Sequence, residues 1–236
     1  GGGGSARHDG GIGMASGLGV RFYDCDGDEV EAIGAHLGKI VRYSTDEMLV
    51  DLSQVRIDLV TDVNNPLCGP LGATYVFAGQ KGLAPEEFER IDEEMAGFYN
   101  NVNPEILAVS GAGAGGGMAA GLVQFAGAHI QKGVDFVMNQ LNFDHRVAEA
   151  DLVIVGEGRM DIQSLAGKTP IGVARRTPDG VPIIAICGSL KDDLPDFPFE
   201  NICAAFPIIA SVDSLEHTLN NAAKHLVRTA DQLSRV

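Results

Sequence analysis

Residues 151–170 read D-L-V-I-V-G-E-G-R-M-D-I-Q-S-L-A-G-K-T-P. The apolar run Leu152 to Val155 is too short for a helix and ends at a glycine, which marks a buried strand of a parallel sheet. Glu157, Arg159 and Asp161 follow, and Ser164 and Gly167-Lys168-Thr169 lead into an apolar helical segment. Open α/β sheets hold their ligands at the carboxyl ends of such strands. Charges gathered there are costly unless they pair or bind something, so a site is the reading this stretch supports over a solvated loop. The Gly-Lys-Thr triplet suggests a phosphate-binding P-loop, but that pattern needs glycine where this chain has Ile162.

Outward from that strand the pattern is α/β. A helix follows over Ile171 to Arg175, then buried strands over Val181 to Cys187 and Ile202 to Phe206, then a last helix. Asp213 is expected to cap that helix, with Glu216 three residues on and Leu215, Leu219, Ala222, Leu226 and Leu233 along one face. Residues 106–236 therefore read as a Rossmann-like α/β/α lobe, and residues 1–105 as a separate mixed α/β domain. In that first domain the sequence predicts short strands over Arg21 to Tyr23 and Ile57 to Val60. It also predicts a helix from Pro85 with Phe88, Ile91, Met95 and Phe98 on one face and a solvated acidic face opposite.

Several patterns carry chemistry or imitate it. Asp24, Asp26 and Asp28 begin like a calcium loop, but Val30 and Ala35 fill later ligand positions, so the stretch reads as a hairpin turn. Gly111, Gly113 and Gly116 satisfy G-x-G-x-x-G after an apolar segment, the strongest rival signal, for a dinucleotide-dependent oxidoreductase. That fold needs an acidic residue at the end of a second strand. The candidate, Asp135, falls in a helical pattern. What survives is a glycine loop at a helix start, suited to an anion. Asp62, at a strand end, is equally well a turn former or a ligand, and His8-Asp9 reads either as a surface pair or as acid–base or metal-binding groups.

Composition narrows the classes. With 236 residues and 45% hydrophobic content the chain can bury a substantial core. A net charge of −15 argues against nucleic-acid backbone binding, and no apolar run approaches membrane-spanning length. The 4 cysteines are widely spaced with no C-x-x-C, and a cytoplasmic location is the expectation.

Five ordered blocks carry a family resemblance: residues 3–14 (G-G-S-A-R-H-D-G-G-I-G-M), 62–73 (D-V-N-N-P-L-C-G-P-L-G-A), 76–82 (V-F-A-G-Q-K-G), 111–118 (G-A-G-A-G-G-G-M) and 155–170. The chain resembles the bacterial type I glycerate kinases. That resemblance implies two α/β domains with a cleft between them and phosphoryl transfer from ATP, with Mg²⁺, to D-glycerate, the 2-hydroxyl being favoured. It implies Asp9 or Asp62 as base or hydroxyl-orienting group, and Glu157 or Asp161 as metal ligand. Ser5, Asn65, Lys81, Arg159, Lys168 and the loop glycines Gly111, Gly113, Gly115 and Gly116 would bind substrate or phosphate.

Arg7-His8 stands where the family usually has Thr-Asn. The family's first third, with the first strand of the Rossmann-like lobe and its D-S-F-K-G motif, has no counterpart here. The chain is thus expected to be a fragment or truncated product. Part of its sheet would be unpaired or would borrow a partner strand, which raises the chance of a homo-oligomer. An inactive fragment that only binds ligand or a partner chain is the alternative to an active kinase.

Overall fold

The computed structural model describes residues 5–162, 164, 169–209 and 211–235. Lys168 lies outside the described residues. The chain divides into two compact units, Gly1–Gly133 and Val134–Val236, rather than at the boundary expected near residue 105. The reason is local: Gly113 N–H donates to Asn65 O at 3.1 Å and Gly10 N–H to Gly116 O at 3.1 Å, so the glycine loop is built into the first unit.

In the first unit, α1 (Ile12–Gly17) leads to β1 (Arg21–Tyr23), which pairs antiparallel with β2 (Arg42–Ser44). Phe22 points inward and is 1% exposed, while the Arg42 guanidinium lies 3.8 Å over the Tyr23 ring on the outside. The D-C-D-G-D segment is a turn, as expected: Asp24 accepts from the backbone N–H of Asp26 and of Asp28. β3 (Asp58–Val60) then precedes α2 (Phe88–Val102), whose stripe of Ile91, Met95, Phe98 and Tyr99 is buried. Edge-to-face rings, Phe22 on Phe98 and on Phe125, fill the centre of this core. The acidic face of α2 is not wholly solvated. Asp92 is 8% exposed and accepts from the Gly69 N–H at 2.8 Å.

The apolar segment before the glycine loop is a 3-10 turn, Pro104–Ala108, not a strand, with Asn103 accepting from the Glu105 N–H. The G-x-G-x-x-G context of a dinucleotide fold is therefore missing on its strand side as well. After the loop come α3 (Met118–Ala126) and β4 (His129–Gln131), which pairs parallel with β3.

The second unit holds α4 (Gly133–Gln140) from its second residue on, and α5 (Phe143–Val147). β5 (Val153–Met160), α6 (Thr169–Arg176), β6 (Ile183–Leu190) and β7 (Ile202–Pro207) follow. The three strands form a parallel sheet in the order β5-β6-β7. Parallel strands are covered on their faces, and this explains the near-continuous apolar run of β6. Val155, Met160, Ile171, Ala174, Ile183, Ala185 and Ile202 make the core. β5 is longer than its apolar run suggests, so Glu157 and Arg159 lie within the strand rather than after it. It is an edge strand among the described residues, with Ile154 60% exposed. α7 (Leu215–Asn220) and α8 (Ala222–Leu233) close the chain. Ser214, not Asp213, caps α7, its hydroxyl accepting from the His217 N–H. Leu215 and Leu219 of the expected apolar face are exposed. No helix among the described residues is long and apolar enough to cross a membrane.

Candidate functional site

In the first unit three segments converge on the turn Ser5–Gly11. Asp9 is 4% exposed; one carboxylate oxygen accepts from the Gly11 N–H at 2.9 Å and the other from the Arg7 guanidinium at 3.3 Å. Ser5 accepts from the Arg7 N–H at 3.2 Å. The Lys81 ammonium donates to the Arg7 carbonyl at 2.7 Å. Burial lowers the pKa of Lys81, and the Asp9 charge partly offsets this. Gly116 seats the glycine loop on the same turn: a Cβ there would lie 2.2 Å from the Arg7 carbonyl oxygen and 2.8 Å from Lys81 Nζ.

The loop's own amides are mostly committed. Ala114 N–H donates to Gly111 O, Gly116 and Gly117 to Gly113 O, Ala119 to Ala114 O and Ala120 to Ala112 O. Gly111, Gly115 and Met118 N–H make no hydrogen bond among the described residues; Met118 opens α3 and Gly115 stands just before its N-cap Gly117, where a helix favours an anion. The anion cradle expected of this loop is thus narrower than the glycine pattern implies: near the helix start it is the Gly115 and Met118 amides, with the Lys81 ammonium beside Gly116. Met118 carries no signal in the sequence, because its contribution is a backbone amide.

Asp62 and Asn65 act on backbone. Asp62 accepts from the Gly133 N–H at 3.1 Å and so holds the turn into α4. Asn65 donates from its side chain to the Leu71 carbonyl at 2.8 Å and accepts the Gly113 N–H through its own carbonyl. The structure brings Ser5, Asp9, Lys81 and Gly116 together. Asn65 stands behind Gly113 as a brace.

In the second unit the polar end of β5 is irregular. Glu157 pairs in register with Cys187 and Arg159 with Ser189, while the Gly158 N–H turns to the Glu157 carboxylate at 3.2 Å. A Cβ at Gly188 would lie 2.2 Å from the Gly158 carbonyl oxygen, so the two strands approach more closely than a side chain allows. Burial, then the Glu157 charge, pushes the Cys187 thiol up to about 11. Arg159 is 62% exposed, its nearest carboxylate Asp161 at 3.7 Å. Asp161 accepts from both the amide and the hydroxyl of Ser164, which is fully buried.

The fold is α/β, with a lysine-flanked glycine loop at a helix start in the first unit and charged residues on a parallel strand in the second. The family model described as the glycerate kinase family matches residues 1–236, and the chain belongs to that family. It is 50% identical over 234 residues to the glycerate kinase of Neisseria meningitidis serogroup B, covering 99% of this chain and 63% of that protein. It is 34% identical over 237 residues to the glycerate 2-kinase of Escherichia coli K12, covering 98% of this chain and 62% of that protein. A crystal structure described as that of a glycerate kinase 2 from Salmonella typhimurium LT2 superposes with a TM-score of 0.76 at 36% identity, covering 99% of this chain and 62% of the other. The chain spans under two thirds of the length of these relatives.

Proposed function

We infer that this chain carries phosphate- and substrate-handling parts of a kinase that transfers the γ-phosphoryl group of ATP to D-glycerate. The observation that carries the reading is the convergence of Lys81, buried Asp9 and Gly116 on one turn. Phosphoryl transfer asks for little covalent chemistry from the protein; it asks for positioning and for neutralised charge. The glycerate hydroxyl oxygen bonds to the γ-phosphorus as the bond from that phosphorus to the β-bridging oxygen breaks. The hydroxyl proton goes to a carboxylate. The relative named a glycerate 2-kinase favours the 2-hydroxyl as acceptor.

The roles follow from what each group has left to offer. Gly115 and Met118 N–H with Lys81 would hold a phosphate or the substrate carboxylate. Arg159, mostly exposed and loosely paired, would take a second anionic group bidentately. Asp9 is the better base. Its partners are one backbone amide and one exposed guanidinium, which can move away, whereas Asp62 holds a turn. Among the described residues no cluster of three or more side chains could cage a metal ion. Mg²⁺ in kinases relies on one or two carboxylates plus the nucleotide's own phosphates, and Glu157 and Asp161 suit that arrangement. When bound, the ion would neutralise charge on the transferring group.

The test is a coupled assay of ADP release with D-glycerate, ATP and Mg²⁺, on this chain and on a full-length relative. Glycerate-dependent turnover in at least the longer chain is expected, and turnover in neither sinks the assignment. In the active chain, Asp9→Asn should cost well over tenfold in kcat and Asp62→Asn less. Losses below about tenfold in both would remove the base from these positions.

A further inference from the structure

His8 stands beside Asp9, yet no role for it follows from the reading above. Its Nε2 lies 3.0 Å from the Thr74 hydroxyl, 66 residues away in sequence. Thr74 is fully buried and opens the helical turn Thr74–Ala78, which runs into Gly79–Lys81. Asp92 accepts from the Gly69 N–H at 2.8 Å. A hydroxyl has one proton. Thr74 can give that proton to Nε2 or accept one from it, and the second arrangement makes Nε2 the protonated nitrogen and leaves Nδ1 bare. The bare nitrogen fits its surroundings, because Nδ1 is buried and without a partner among the described residues, and an unpaired acceptor is tolerated there better than an orphaned N–H. Burial and the Lys81 charge hold the imidazole neutral, its pKa lowered to about 4.

We propose that His8 is a positioning residue: its hydrogen bond to Thr74, in one tautomer, fixes the Arg7–Asp9 turn relative to Lys81 and Gly116. The connection is direct. Arg7 lends its carbonyl to Lys81, Asp9 follows His8 in the chain, and a Cβ on Gly116 would stand 2.9 Å from His8 Cα. Losing the bond leaves the fold standing but lets the ammonium and the carboxylate drift from the loop they face. The hydrogen bond stands on its own geometry; its role in catalysis rests on the kinase reading of this site.

Nitrogen NMR of the imidazole reads the tautomer without turnover. In the wild-type chain near neutral pH, His8 should show a protonated Nε2 and a bare Nδ1. Thr74→Ser, which keeps the hydroxyl, should preserve that pattern, and Thr74→Val should lose it. Binding of D-glycerate and of ATP, followed at the Lys81 and Gly116 amides, should weaken about tenfold or more in Thr74→Val and stay within about twofold in Thr74→Ser. Unfolding midpoints measured alongside separate this from lost stability, since a purely structural role lowers the midpoint and leaves the affinity of the folded protein alone. A fixed tautomer in Thr74→Val, or undiminished affinity in its folded form, overturns the proposal. If the wild-type Lys81 and Gly116 amides ignore both ligands, the reading of the site falls and the positioning role with it. Unchanged affinity in Thr74→Val removes the positioning role alone.

Discussion

Gly116→Ala separates two costs that are usually confounded at glycine positions. Gly116 has φ +72°, and Gly127 at the end of α3 has φ +63°, so alanine meets nearly the same backbone penalty at both, about 1 kcal/mol. The surroundings differ completely. A Cβ at Gly127 meets nothing within 4 Å, whereas at Gly116 it would sit 2.2 Å from Arg7 O, 2.8 Å from Lys81 Nζ and 2.9 Å from His8 Cα. Two of those three atoms are backbone. The turn must therefore retreat and stretch the Lys81–Arg7 hydrogen bond, adding about 2 kcal/mol or more of overpacking and lost bonding. Gly127→Ala should then destabilise by about 1 kcal/mol and Gly116→Ala by about 3. Urea unfolding followed by far-ultraviolet circular dichroism measures both. With a slope near 3 kcal/mol per molar for a chain this long, the midpoints should move by about 0.3 M and about 1 M. Ligand affinity should fall in Gly116→Ala and hold in Gly127→Ala. Equal destabilisation of the two variants would refute the close approach of the glycine loop to the Arg7–His8 turn.

His8 gives the chain a pH dependence of stability with a definite sign. Its pKa falls from 6.5 in the unfolded chain to about 4 when folded, so its neutral form is what folding favours. That contribution is whole above 6.5 and is lost as pH falls from 6.5 towards 4, because the unfolded chain takes up a proton that the folded one refuses. The full shift corresponds to about 3 kcal/mol, and partial exposure reduces this to about 2. Urea midpoints of the wild type should drop between pH 7 and about 4.5, and more steeply than those of His8→Gln; parallel curves would contradict the buried neutral histidine. The cysteines should divide by site. Burial pushes the Cys68 thiol up to about 12 and the Cys187 thiol up to about 11, while Cys25 and Cys203 are exposed. Brief alkylation at pH about 8, read by peptide mass spectrometry, should mark Cys25 and Cys203 and spare the other two. Early labelling of Cys68 would mean that the first core opens locally.

What the sequence shows and what it hides divide along physical lines. Strands such as Ile183–Leu190 and the stripe of α2 are legible because a buried parallel strand and a half-buried helix impose different periods on apolar residues. The same logic fails at Pro104–Ala108, where an apolar run is too short for its period to be read and Pro104 with the Asn103 cap turns it into a 3-10 segment. It fails again at Asp92, which looks like one more charge on a solvated face until the Gly69 amide reaches it from a turn 23 residues away in sequence. Most of the candidate site belongs to this second kind. Lys81 and Asp9 can be singled out by residue type and neighbourhood, but that one borrows the carbonyl beside the other is a tertiary fact. The glycine pattern suggests a loop full of free amides. Of those from Ala114 to Gly121, the fold spends all but Gly115 and Met118 on its own carbonyls. A glycine-rich stretch thus marks where backbones approach closely, and only the hydrogen-bond account of the folded loop tells which amides remain to receive an anion. The same distinction ranks the carboxylates: Asp62 is committed to a backbone turn, while Asp9 shares one oxygen with an exposed guanidinium that a substrate can displace.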